Sequence, residues 1–252
     1  RECNLTSSNL ENGFKNVAFR MLKKRLLKFA DRIICPANAI KNDLQINFGI
    51  SPDKMITIYN PVQVEEIRSH MPPHHPGKPS SVYNIVAAGT LEYRKGFDLL
   101  IDVMSIIVEE NHKVHLTLLG DGPEKENLRK QIHSLNLSYH VRLAGYQINP
   151  FTYFSKADLF VLSSRYEGLP NAMLESLACG TPVVAFNCPG GIDEIIVDEL
   201  QGALVPENDV HALSKAIEKQ MRSHRHAKGS LLPDKFDAKA VVPAYEKLAL
   251  SE

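Results

Sequence analysis

Tryptophan is absent from this chain of 252 residues, and cysteine occurs only four times. Cys3, Cys35, Cys179 and Cys188 show no C-x-x-C spacing. That argues against a thiolate metal site or a disulfide scaffold, and reads as free thiols in a reducing compartment. The sequons Asn4-Leu5-Thr6 and Asn136-Leu137-Ser138 are chance matches in such a compartment. Charge of one sign is also lacking: Lys plus Arg number 29, and Asp plus Glu number 29. Without a basic excess, nucleic acid is not an expected partner. No apolar run approaches the ~18 residues of a membrane span. No Asp-x-Asp occurs, and the His74-His75 pair reads as part of a solvated linker rather than a metal site. The opening also lacks the buried strand and glycine-rich turn with which an α/β domain begins, and residue 1 is Arg. The chain is therefore expected to be a piece of a longer protein.

What the chain does have is alternation. Strand-like apolar runs fall at 84–88, 114–119, 141–144, 159–162, 182–186 and 203–205. Helical patterns fall at 96–109, 123–135, 150–156, 170–179, 192–197 and 210–220. This order implies an α/β fold with a parallel, doubly wound sheet and right-handed crossovers. Ligands of such sheets bind at the carboxyl ends of the strands. A shorter α/β section precedes it. Its first helix, 14–30, carries the apolar stripe Phe14, Val17, Ala18, Met21, Leu22, Leu26, Phe29 and Ala30 among basic residues. A strand at 33–35, a helix at 39–48 and a strand at 55–58 follow, closed by Asn60-Pro61. Breakers crowd 71–81. The expected division is 1–62, a linker at 63–81, a second domain at 82–232 and a tail helix within 233–252.

The most informative stretch begins Tyr166-Glu167-Gly168-Leu169-Pro170-Asn171 and runs through Glu175 to Gly180-Thr181-Pro182. Pro170 suits the first turn of a helix, and Gly180 with Pro182 stops it. Glu167 then lies in the loop after the strand at 159–162, with Glu175 about two turns inside the helix. The free N–H groups of Gly168, Leu169 and Asn171 make a ready anion site. Two carboxylates beside them suit hydroxyls, so a diphosphate next to a sugar fits both halves. The bland alternative is a loop glutamate and a solvated helical one. A second loop, Gly89-Thr90-Leu91-Glu92-Tyr93-Arg94-Lys95-Gly96, offers two cations at a helix start; its alternative is an exposed turn. Gly120-Asp121-Gly122-Pro123 lacks the third glycine of the dinucleotide fingerprint. Both a tight turn and a ligand contact remain open there. Tyr146 follows the third strand as either a ligand contact or a rim packing residue. Cys188-Pro189-Gly190-Gly191 precedes the pattern at 192–197, its glycines allowing close backbone approach to a ligand.

These residues resemble the retaining glycosyltransferases of the GT-B fold, specifically glycosyltransferase family 4. The hallmark there is E-G-x-P with a second glutamate eight residues on, here Glu167-Gly168-Leu169-Pro170 through Glu175. The resemblance implies a Rossmann-like C-terminal domain behind a partial N-terminal α/β domain. It implies transfer of a hexose from a nucleotide diphosphate sugar, UDP-sugar by preference and GDP-sugar as the other option. Glu167 would be the catalytic residue, supporting the donor sugar, and Glu175 would hold the ribose. Gly89, Arg94, Lys95, Tyr146, Gly168, Leu169, Pro170, Asn171 and Glu175 would bind the donor. The family's Lys-Gly is Lys95-Gly96, but its arginine position holds Thr90, and Arg94 is the replacement the loop offers. No metal or other cofactor is implied, since the nucleotide sugar is a substrate. A glycan or polyprenyl-linked acceptor is implied, in cell-surface polysaccharide synthesis. So is a cytoplasmic place, with peripheral contact at the inner face of the membrane. The basic helix at 15–28 either touches anionic lipid there or packs on the first domain with a solvated basic face. Two other readings stand: a GT-B nucleotide-sugar epimerase, and a non-catalytic nucleotide-sugar-binding fragment. A glycosidase pair of carboxylates is set aside, because the cationic loop has no use in a hydrolase.

Overall fold

A computed structural model of the chain describes residues 14–72, 82–110, 113–223 and 229–250, with side chains from residue 22 onward. The first section holds α1 (Phe14–Phe29), β1 (Ile33–Cys35), α2 (Asn38–Phe48), β2 (Met55–Thr57) and α3 (Val64–Ser69). Its two strands pair in parallel, Ile33 against Met55. The second section begins with β3 (Tyr83–Ala88), α4 (Phe97–Glu110), β4 (Val114–Leu119), α5 (Lys125–Ser134) and β5 (Val141–Gly145). It continues through α6 (Phe151–Phe154), β6 (Leu159–Leu162), α7 (Asn171–Ala178), β7 (Val183–Asn187), β8 (Gly202–Pro206) and α8 (Val210–Ser223). The last helix, α9 (Ala238–Ala249), packs back on the first section.

Six parallel strands lie in the order β5-β4-β3-β6-β7-β8. The chain starts at the centre with β3, winds outward to β5, returns beside β3 with β6, and winds outward the other way. The carboxyl ends of β3 and β6 therefore flank the point where the winding reverses, the crevice in which such sheets hold ligands. Strands buried on both faces read as continuous apolar runs rather than alternating ones, and β6, Leu159-Phe160-Val161-Leu162, is buried throughout. Helices close both faces. The buried stripe Phe97, Leu100, Ile101, Met104 and Ile107 of α4 recurs at helical spacing. Leu213 and Ile217 do the same on α8.

The return to the first section is well tied. The Val62 N–H donates to Phe236 O and the Ala238 N–H to Val62 O, both at 2.9 Å. The rings of Tyr59 and Phe236 meet edge to face at 4.7 Å, and Lys239 Nζ lies 2.6 Å from Glu65 Oε1.

Three expectations need correction. Residues 192–197 are a turn, closed by the Ile195 N–H donating to Ile192 O at 3.0 Å. The Gln201 amide oxygen accepts from the N–H groups of Val197 and Asp198, replacing the carbonyls a helix would have offered. The expected linker begins with α3 instead, whose Ile67 is buried and whose Glu65 and Glu66 complement the helix start. Residues 73–81, His74 and His75 among them, lie outside the described residues. The apolar stripe of α1 is split: Leu22, Leu26 and Phe29 are exposed, while Ala30 of that stripe packs on the core together with Leu27. No helix among the described residues is long and apolar enough to cross a membrane.

Candidate active site

At the reversal point, the loop after β3 and the loop after β6 are laid directly on each other. Tyr93–Lys95 forms a single 3-10 turn, and Gly96 ends it in the left-handed conformation at φ +61°. A Cβ on Gly96 would stand 2.0 Å from the Ser163 carbonyl oxygen, so only glycine permits this approach. The turn places both cations against Glu167. Lys95 Nζ lies 2.6 Å from Glu167 Oε1, and Arg94 Nη1 lies 2.9 Å from Oε2. The Ser164 hydroxyl donates to Oε1 at 2.7 Å. Glu167 is 5 % exposed. A carboxylate removed from water to that degree needs such partners. Arg94 makes two further bonds, from Nε and Nη2 to Glu92 Oε1, at 3.1 and 2.7 Å.

Behind the cluster, the Glu167 N–H donates to Pro189 O and the Gly191 N–H to Gly168 O. A Cβ on Gly190 would meet the Glu167 carbonyl at 2.4 Å. Gly190 thus lies against the backbone carrying Glu167, and Gly191 against the Ala37 side chain of the first section, where a Cβ would stand 2.5 Å away. Gly122 serves a like purpose, since a Cβ there would strike the Leu91 backbone. Helix α7 opens beside Glu167. Pro170 is its N-cap in extended conformation rather than a first-turn residue. The first-turn N–H groups of an α-helix have no intrahelical acceptor, and here they begin four residues from the buried carboxylate. Glu175 lies little more than one turn into α7, half-buried, with no hydrogen bond or ion pair to another described side chain. Burial pushes its carboxyl above the usual carboxylate range. Tyr146, just past β5, is 77 % exposed. Gly89, at the end of β3, packs on the Lys95 stem.

The pattern of residue types did not reveal Arg165, Asp98 or the two serines. Arg165 precedes Glu167 by two positions and joins Asp98 through two bonds, 2.8 and 2.6 Å. Ser163 and Ser164 directly follow the buried β6 and are themselves buried. Polar side chains buried at a strand end, beside a charged loop, were the available signal. Cys188 is buried near Glu167; burial, then that carboxylate, pushes its thiol up to about 12. It stays protonated and unreactive.

The pattern of the glycosyl transferases group 1 family matches residues 74–230, and that of Glycosyltransferase Family 4 matches residues 5–66. A Campylobacter jejuni protein, N-acetylgalactosamine-N,N'-diacetylbacillosaminyl-diphospho-undecaprenol 4-alpha-N-acetylgalactosaminyltransferase, is 28% identical over 242 residues, 96% of this chain and 64% of its own. The lipopolysaccharide core biosynthesis glycosyltransferase LpsE of Rhizobium meliloti is 33% identical over 180 residues, 69% of this chain and 52% of its own. Among solved structures, Anabaena Alr3699/HepE in complex with UDP-glucose superposes with a TM-score of 0.77 at 21% identity, over 94% of this chain and 68% of that one. The chain spans about half to two thirds of the length of the curated relatives it matches. With the fold, of GT-B type, and the matched residues agreeing, the chain belongs to the glycosyl transferases group 1 family.

Proposed function

We propose that this chain is the donor-binding part of a retaining glycosyltransferase that uses a UDP-sugar, and that the crevice between β3 and β6 holds the donor. The observation that carries the reading is the convergence of Arg94 and Lys95 on one buried carboxylate, beside the start of α7. Two cations facing a single anion favour a diphosphate, and backbone N–H groups at a helix start add to the attraction. As the nucleotide diphosphate leaves, negative charge builds on its oxygens, and preorganised cations stabilise that charge without rearranging solvent. Glu167, freed from the cations by the diphosphate, turns to the hydroxyls of the sugar and supports positive charge at its ring. Glu175, a carboxylate with no protein partner among the described residues, holds the ribose hydroxyls. Leu169, Pro170 and Asn171 shape the helix start, and Tyr146 offers a ring to the nucleobase.

The boundaries near 62, 81 and 232 separate this donor-binding unit from an acceptor side of which only part is present. The relatives' printed names support an acceptor that is a lipid-linked or cell-surface glycan. With such an acceptor the protein works at the cytoplasmic face of the membrane. The exposed Leu22, Leu26 and Phe29 of α1, set among Lys24, Arg25 and Lys28, suit peripheral contact with anionic lipid there.

Calorimetric titration of the chain with UDP, GDP and ADP tests this. UDP should bind most tightly, and Lys95→Ala should weaken it by at least about tenfold, the loss of one charge-assisted contact. No binding of any nucleotide, or no effect of Lys95→Ala, overturns the reading.

A further inference from the structure

We infer that Arg165, whose side chain bonds to Tyr93 and Asp98 and not to Glu167 or the charged groups of Arg94 and Lys95, is a positioning residue that sets where Arg94 and Lys95 present their charges. The inference rests on the diphosphate reading above. Three successive carbonyls of the 3-10 turn are held by donors of two residues just past β6, Ser163 and Arg165. Arg165 Nη1 donates to Tyr93 O at 2.7 Å, the Arg165 N–H to Arg94 O at 2.8 Å, and the Ser163 hydroxyl to Lys95 O at 3.1 Å. The turn that carries both cations is thus fastened carbonyl by carbonyl to the segment that leads into Glu167.

Arg165 is the anchor of this arrangement because it joins three parts. Its guanidinium grips Asp98 with both ends of the fork, 2.8 and 2.6 Å. The same group lies 3.9 Å from the centre of the Tyr93 ring. Burial alone would raise the Asp98 carboxyl, but the bonds and charge of Arg165 outweigh it and hold the carboxyl below the usual range. Asp98 stands in the first turn of α4, where negative charge also complements the helix start. One residue therefore ties α4, the cation turn and the end of β6. A lysine cannot replace it, since a single ammonium lacks the planar fork that meets a carboxylate, a carbonyl and a ring together. Holding the turn before the ligand arrives lowers the ordering cost of binding.

Arg165→Lys keeps the charge and loses the fork. It should weaken UDP by about tenfold in calorimetry and leave the affinity for uridine, followed by chemical shift, unchanged. In a background carrying Arg94→Ala and Lys95→Ala, the same substitution should cost UDP nothing more, because the charges it positions are gone. Asp98→Asn, which keeps side-chain volume, should repeat the pattern and stands in if Arg165→Lys does not fold. Equal losses for UDP and uridine, an undiminished loss in the double-alanine background, or no loss at all would overturn the inference while UDP binding by the wild type still supports the reading beneath it. Failure of the wild type to bind UDP would overturn both.

Discussion

Removing a carboxylate from water without a cation costs folding free energy, and Glu175 is placed in that way. Burial raises its folded-state pKa, so the native chain holds that proton more tightly than the unfolded chain does. Stability from this group is complete below the ordinary carboxylate range. It falls as pH rises through the interval up to the raised value, and the cost stays constant above it. Glu175→Gln should therefore raise the melting temperature at neutral pH and flatten its pH dependence in that interval. The same substitution should weaken UDP by about tenfold, since a hydrogen bond to a charged acceptor is worth roughly 1.5–3 kcal/mol. Thermal melts across pH, paired with UDP titration, check both parts. A melting temperature at neutral pH no higher than wild type would remove the cost from Glu175. Cys179 is its neighbour in this respect: burial, then Glu175, pushes the thiol up to about 12, and thiol reagents should leave it untouched in the native chain.

Helix α9 shows how an element depends on its first residue. Asp237 is its N-cap, and the carboxylate accepts from the Lys239 N–H at 2.8 Å. Asp237→Ala should cost about 1 kcal/mol and lower the melting temperature by roughly 2–4 °C. Amide exchange should quicken along α9 and stay unchanged in β3, β4 and β6; equal quickening everywhere would refute a local cap. The six strands and their double winding were legible in sequence, because the strands' buried positions are apolar and their helices carry regular stripes. The convergence of Lys95 and Glu167 was legible only through topology, since both lie at carboxyl ends of strands that the winding makes neighbours. What was not legible depended on side-chain partners that no local pattern announces. Gln201 turns 192–197 away from helix by accepting N–H groups that local pattern assigns to a helical ladder. Arg165 meets Asp98 across 67 positions, and nothing around either residue points to the other. Helix α3 is too short for its periodicity to stand out from the breakers after it.

Across the whole molecule, the first section is completed by the second. Ala37, the N-cap of α2, has no side chain able to cap it. Glu194, from the turn behind the Glu167 loop, supplies the missing acceptor: its Oε1 takes the Ala39 N–H at 3.1 Å. Its Oε2 takes Asn38 Nδ2 at 2.8 Å and the Tyr59 hydroxyl at 2.9 Å. Asn60 and Asn171 join the two sections again at the start of α7. Burial, then Glu194, pushes the Tyr59 hydroxyl up to about 12, so it donates throughout the physiological range. Glu194→Ala should cost about 1–2 kcal/mol, the worth of a helix cap. It should also bring the Tyr59 titration, followed by ultraviolet absorbance, below 12 while burial keeps it above 10. An unmoved Tyr59 titration would separate Glu194 from that hydroxyl. The bridge between Val62 and Asp237 has a consequence of another kind. It closes a loop of chain that contains all six parallel strands, and the entropy of closing so long a loop is recovered only once the strands have gathered its ends together. The order of folding expected from this closure is that the six-stranded sheet assembles first and the first section, waiting for α9 and Glu194, is completed last.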